Sequence, residues 1–165
     1  MKPEPKAPPE EKPAVVAKAE PKPEPRPEAK VEPKNDNKPP HDKKEAKSLL
    51  VKARTAEAQR KYPEARQLYE RVAGGKYQRV DGLLGIAGVA WQTKDVDGAI
   101  LYAQKAIDEG AGDSARLLLG HAYYKKGRFD DAIAMYKAVL KNDPKNAEAL
   151  KTLRAAEKQK ASGSP

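Results

Sequence analysis

The chain has 165 residues, with 33 Lys and Arg against 24 Asp and Glu, a net charge of +9 and no cysteine. Without thiols there are no disulfides and no thiolate metal sites, and such a chain suits a cytoplasm and a periplasm alike. Its two histidines, His41 and His121, lie in different parts of the sequence, so no imidazole pair forms a metal site and no cofactor is expected. Residues 1–45 come first and are a material of their own. Twelve of the fifteen prolines fall before residue 41, and the stretch has no Phe, Trp, Tyr, Ser or Thr. It cannot bury enough apolar surface to offset the entropy of ordering, which predicts a disordered arm biased toward polyproline II. Through Lys47 the charge is 12 − 10 = +2, leaving 21 − 14 = +7 for the rest.

From residue 46 onward the pattern changes to paired helices. Small residues recur at Ala65, Ala99 and Ala132, at intervals of 34 and 33 residues. This period divides the sequence into units 46–79, 80–112 and 113–146. Unit one places Leu49, Ala53, Ala56, Tyr62, Tyr69 and Val72 at helical spacing and ends in Gly74-Gly75. Unit two carries Leu83, Ile86, Ala87 and Ala90, then Val96, Ala103 and Ile107, and stops at Gly110-Ala111-Gly112. Gly82, Gly85 and Gly88 dilute its first helix, which therefore depends on packing. Unit three has Leu119, Gly120, Tyr123, Gly127, Phe129, Ala132, Tyr136, Leu140 and Pro144. Gly120 and Ala132 leave room where two antiparallel helices cross, Gly127 suits the turn, and Pro144 acts as a stop. After it, Ala147, Leu150 and Leu153 form a narrow apolar stripe, a polar capping helix over 147–160. Residues 161–165 read as a disordered tail.

On these residues and this period the chain resembles the tetratricopeptide repeat (TPR) family. The resemblance implies an all-α fold: a right-handed α-solenoid of three helix-turn-helix units plus a capping helix, behind the Pro-rich arm. It also implies a concave groove lined by positions 2, 5, 9, 12 and 13 of each unit. Those positions put Leu50, Arg54 and Glu57 in the groove from unit one, and Leu84, Gly88, Trp91 and Gln92 from unit two. Unit three contributes Leu117, His121, Tyr124 and Lys125. Trp91 and Tyr124 fall at equivalent places and would anchor a partner peptide or helix, with Arg54 and Lys125 supplying charge. Gly88 would leave a gap beside Trp91. The competing readings are that Trp91 packs between units, that Tyr124 covers the last repeat's edge, and that Arg54 merely pairs with Glu57 at i, i+3.

The carboxylate clamp of chaperone-binding TPR proteins uses Lys, Asn, Asn, Lys and Arg. The corresponding positions here hold Leu50, Arg54, Gly85, Ser114 and Leu118, so that arrangement is missing. Nor does the sequence hold a catalytic constellation. Gly82, Gly85 and Gly88 fall within a helix rather than after a strand, and Asp95, Asp97, Asp130 and Asp131 sit where helices begin and serve as caps and dipole partners. The reading is therefore a non-enzymatic scaffold or adaptor with a protein or peptide partner. The alternatives are a basic solenoid binding nucleic acid or anionic surfaces, with steep salt dependence, and a self-associating structural domain of a larger, kinase or membrane-anchored, protein. The arm resembles the Pro-Lys/Pro-Glu spacers of bacterial envelope proteins and the linkers that precede terminal TPR domains. Neither a signal peptide's apolar core nor a membrane-spanning stretch is present in this sequence, and a start inside a spacer suggests an excerpt or processed form.

Overall fold

A computed structural model describes residues 38–163, and in them seven helices follow one another. They are α1 (Lys43–Ala58), α2 (Tyr62–Gly74), α3 (Arg79–Gln92), α4 (Val96–Asp108), α5 (Asp113–Lys125), α6 (Phe129–Asn142) and α7 (Ala147–Ser162). Each helix packs on the next one in sequence. In addition α1 touches α3, α3 touches α5 and α5 touches α7, whereas the backbones of α2, α4 and α6 stay apart, with the Arg66 guanidinium of α2 reaching over to the Tyr102 ring of α4 at 5.9 Å. The odd-numbered helices thus form one continuous inner layer, the geometry of a helical solenoid.

The local chemistry explains the boundaries. Asp42 caps α1, its Oδ1 accepting from the Glu45 backbone N–H at 2.7 Å. Asp95 and Asn146 do the same for α4 and α7, accepting from the N–H groups of Gly98 (2.9 Å) and Ala149 (3.0 Å). Each such side chain satisfies one of the orphan donors of a helix start. The tight turns inside the three units use the same place each time: Arg60, Lys94 and Gly127, with φ of 58°, 64° and 74°. Only in the third is this left-handed position occupied by the residue that adopts it freely.

Alanine dominates the core. Ala53, Ala65, Ala87, Ala99, Ala132 and Ala156 are each fully buried, which lets helix axes approach closely. Larger side chains fill the remaining space, chiefly Tyr136, Ile86, Leu119, Val72 and Val139, each worth roughly 1.5–3 kcal/mol of burial. The glycines of α3 serve the same closeness. A Cβ on Gly82 would lie 2.5 Å from the Ala73 backbone nitrogen, and one on Gly85 would lie 2.3 Å from the Tyr69 ring. Packing does stand in for propensity here: α3 presses directly onto α2 because these positions have no side chain.

The docked segment begins before residue 46. Pro40 is buried, and its ring occupies the space where a Cβ on Gly75 would sit, at 2.9 Å. The Arg71 Nε–H donates to the Lys38 carbonyl at 3.1 Å, and the guanidinium lies 3.8 Å from the Glu45 carboxylate. Residues 38–45, assigned from composition to the arm, therefore dock on α2 and start α1. A helix cap and one arginine reverse what proline density suggested. At the other end α7 runs two residues past the expected boundary, to Ser162. The polyproline reading of the arm concerns residues 1–37, outside the described residues, and the tail's last two residues lie outside them too.

Candidate functional site

The inner layer presents a cleft of about 300 Å³ between α3, α5 and α7. Trp91 comes from α3, while His121, Tyr124 and Lys125 come from α5. Tyr136 of α6 lines the base, and Thr152 and Ala155 of α7 close the far side. Almost all of the exposed lining is apolar. His121 holds the aromatic residues in order: its ring centroid is 6.3 Å from that of Trp91 and 5.7 Å from that of Tyr136. Tyr124 turns its ring edge-on to Phe129 at 5.5 Å, a favourable quadrupole arrangement. These contacts fix the rings relative to one another.

Electrostatics are set by burial. Desolvation lowers the pKa of His121 below its ordinary 6.5, against the opposing pull of Glu148, whose Oε1 is 3.7 Å from Nε2. The imidazole is thus neutral at pH 7 and belongs to the apolar wall. Burial likewise pushes the Tyr136 phenol up to about 12.

The proposed groove residues fare differently along the solenoid. Trp91, His121, Tyr124 and Lys125 converge on the cleft, and Lys125 stands exposed at its rim. Leu117 is partly buried and packs in the cluster beneath Tyr124 and Leu153. Gln92 is exposed but does not line the cleft. Leu50 is a correction: only 4% of it is exposed, and it belongs to the core with Leu49 and Ala53. Leu84 packs half-buried against that core. Arg54 does not pair with Glu57. It lies 3.6 Å from Asp81 of α3, while Glu57 accepts a 2.7 Å hydrogen bond from the Tyr69 hydroxyl. Gly88 faces open space, where a Cβ would meet only Glu57 Oε1 at 3.7 Å.

Three cleft residues were not anticipated. Tyr136, predicted to pack in the core, is only 1% exposed and still lines the cleft. Thr152 and Ala155 fall in the predicted capping helix. A signal for α7 existed: continuing the 34-residue register puts unit four at 147, and its position 9 is Ala155.

Comparison with known proteins accounts for the fold. Two distinct sequence models described as tetratricopeptide repeat match residues 50–114 and 90–157, together spanning 50–157. The chain belongs to the tetratricopeptide repeat family. The fold of a solved structure, the first TPR of Spaghetti (RPAP3) bound to the HSP90 peptide SRMEEVD, matches with a TM-score of 0.69 at 23% identity. That match covers 73% of this chain and 96% of the other. The NMR structure of the first TPR domain of human RPAP3 matches with a TM-score of 0.64, also at 23% identity, covering 71% and 93%. No curated protein matches the sequence. Among the described residues no helix is long and apolar enough to cross a membrane, and no group of three His, Asp or Glu side chains converges.

Proposed function

We propose that this TPR protein is a non-enzymatic interaction module that docks a partner peptide or helix in its concave groove, with the cleft between α3, α5 and α7 as the anchoring point. The observation that carries the reading is the cleft itself. It is an apolar recess with Trp91, Tyr124 and Tyr136 in its wall, in a fold whose structural relatives include one solved with a peptide bound. Aromatic side chains in a preformed recess supply large contact area at low entropic cost. The mode of anchoring differs from a carboxylate clamp, because Leu50 and Gly85 stand at two clamp positions and Leu50 is buried. The composition of the arm supports a bacterial assembly, envelope or signalling setting, in which the arm sets reach and effective concentration.

Trp91 is the only tryptophan of the chain, so its emission reports on the cleft alone. Peptides selected from a random library on the whole protein should shift that emission. Trp91→Ala should weaken them about thirtyfold, the ~2 kcal/mol of a buried aromatic anchor, with the helical signal unchanged. Peptides that bind equally well to both proteins would place docking elsewhere.

A further inference from the structure

The groove positions of α5 and α7 carry an unbalanced charge. On α5 they are Ser114, Leu117, His121, Tyr124 and Lys125. On α7 the continued register gives Glu148, Lys151, Ala155, Lys158 and Gln159. With His121 neutral, the sum is 3 − 1 = +2. The same positions on α1 and α3 hold Lys47, Arg54, Glu57 and Asp81 as their charges, a sum of 2 − 2 = 0.

The pairing pattern sharpens the contrast. On its α6-facing side α7 is neutralised: Lys160 pairs with Asp130, and Glu157 lies 3.9 Å from Lys137. Lys126, next to Lys125, pairs with Asp97 at 2.8 Å. Yet Lys125, Lys151 and Lys158 take part in no ion pair among the described residues, and all three are exposed. Lys151 and Lys158 stand at i−4 and i+3 of Ala155, so both flank the cleft wall on one helix face. The helix dipole does not explain Lys151. It sits in the second turn of α7, at the end where negative charge is favoured. The single carboxylate in this region, Glu148, is held near His121.

We infer that the occupant of this cleft is an acidic peptide segment: a bulky apolar side chain enters between Trp91, Tyr124 and Tyr136, and carboxylates on either side meet Lys125, Lys151 and Lys158. The inference rests on the docking reading above and adds the chemistry of the partner. A peptide fits better than a nucleic acid, because the cations border an apolar recess between helices instead of tracking a continuous basic channel.

The test selects random nonapeptides on three full-length proteins: the wild type, Trp91→Ala, and the double variant Lys151→Glu, Lys158→Glu. The wild-type pool should be rich in Asp and Glu around one large apolar residue. The double variant should bind those peptides about tenfold more weakly and lose the acidic enrichment, because charge reversal at a rim acts on complementary partners. A pool that depends on Trp91 but has no acidic bias overturns the inference and leaves the docking reading standing. Identical pools from wild type and Trp91→Ala overturn both, as does failure to enrich any peptide. Displacement of the selected peptides by a 20-nucleotide single-stranded DNA at lower concentration than by free peptide would assign the cations to a polyanion instead.

Discussion

The two halves of the groove are built on one register and end in opposite states. Position 12 of successive units is Glu57, Trp91 and Tyr124, and position 5 is Leu50, Leu84, Leu117 and, on α7, Lys151. Toward α1 three of the four groove charges are engaged: Tyr69 donates to Glu57 at 2.7 Å and Arg54 lies 3.6 Å from Asp81, leaving Lys47 as the one exposed charge in no ion pair among the described residues. Toward α7 the same positions hold aromatic rings around a recess, with Lys125, Lys151 and Lys158 in no ion pair among the described residues. Burial also raises the Tyr69 phenol's pKa, as it does that of Tyr136, but only Tyr69 has a carboxylate to hold. A repeat scaffold can therefore close one stretch of its surface and leave the next open by exchanging a few residues at fixed positions, with the backbone unchanged.

The backbone frame itself can be broken on the closed side. Gly82→Ala should cost about 3 kcal/mol in thermal or urea denaturation, because its Cβ would press on the Ala73 backbone, which cannot turn aside as a side chain can. Gly88→Ala, on the same helix but facing the open groove, should instead be neutral or stabilise by up to ~1 kcal/mol through helix propensity. If both lose stability equally, the helices approach one another differently from this account.

The turns provide the next contrast. Lys94 adopts φ of 64°, which costs an L-residue roughly 1–2 kcal/mol, so Lys94→Gly should raise the melting temperature and Gly127→Ala should lower it. Tyr69→Phe should then cost about 1 kcal/mol by leaving Glu57 without its donor. Tyr136→Phe should cost less, since no carboxylate accepts from its hydroxyl. Equal losses from the two phenylalanines would dissolve the distinction between the halves.

The smallest effect is a pH dependence. Burial lowers the folded-state pKa of His121, so protonation favours the unfolded chain. The His121 contribution should be complete above pH 6.5 and lost as pH falls through its folded value. The groups facing the ring are Glu148, Tyr136 and Trp91. Urea midpoints at pH 7.5 and 5 should converge between wild type and His121→Gln at the lower pH if burial of the ring sets its titration. A parallel decline in both proteins would show the ring to be solvated.

Much of this was legible in the sequence, and the failures have physical causes. The 34- and 33-residue intervals between Ala65, Ala99 and Ala132 carry the fold, because each of these alanines is fully buried at a crossing. Gly74-Gly75, Gly110 and Gly127 mark the ends and turns for the same steric reasons. Trp91 and Tyr124 could be placed because position within a unit fixes which side of a helix faces the groove. Leu50 could not, because a terminal unit has no neighbour before it and its leucine folds inward against Leu49 and Ala53. Residues 38–45 were hidden by composition: Pro40 meets Gly75, and Lys38 meets Arg71, only in three dimensions. The cleft wall on α7 was hidden by reading that helix as a cap, although the register runs on through Lys151, Ala155 and Lys158.

The central claim is that partners dock in the cleft between α3, α5 and α7 and not at the end marked by Arg54, Glu57 and Asp81. Amide chemical-shift mapping of a library-selected peptide on the isotope-labelled protein tests it most directly. The account predicts that the largest shifts fall on Trp91, His121, Tyr124 and Lys125 and on residues 151–158, with Arg54, Glu57 and Asp81 unmoved. Shifts centred on Arg54 and Asp81, or on the outer helices α2, α4 and α6, would contradict it.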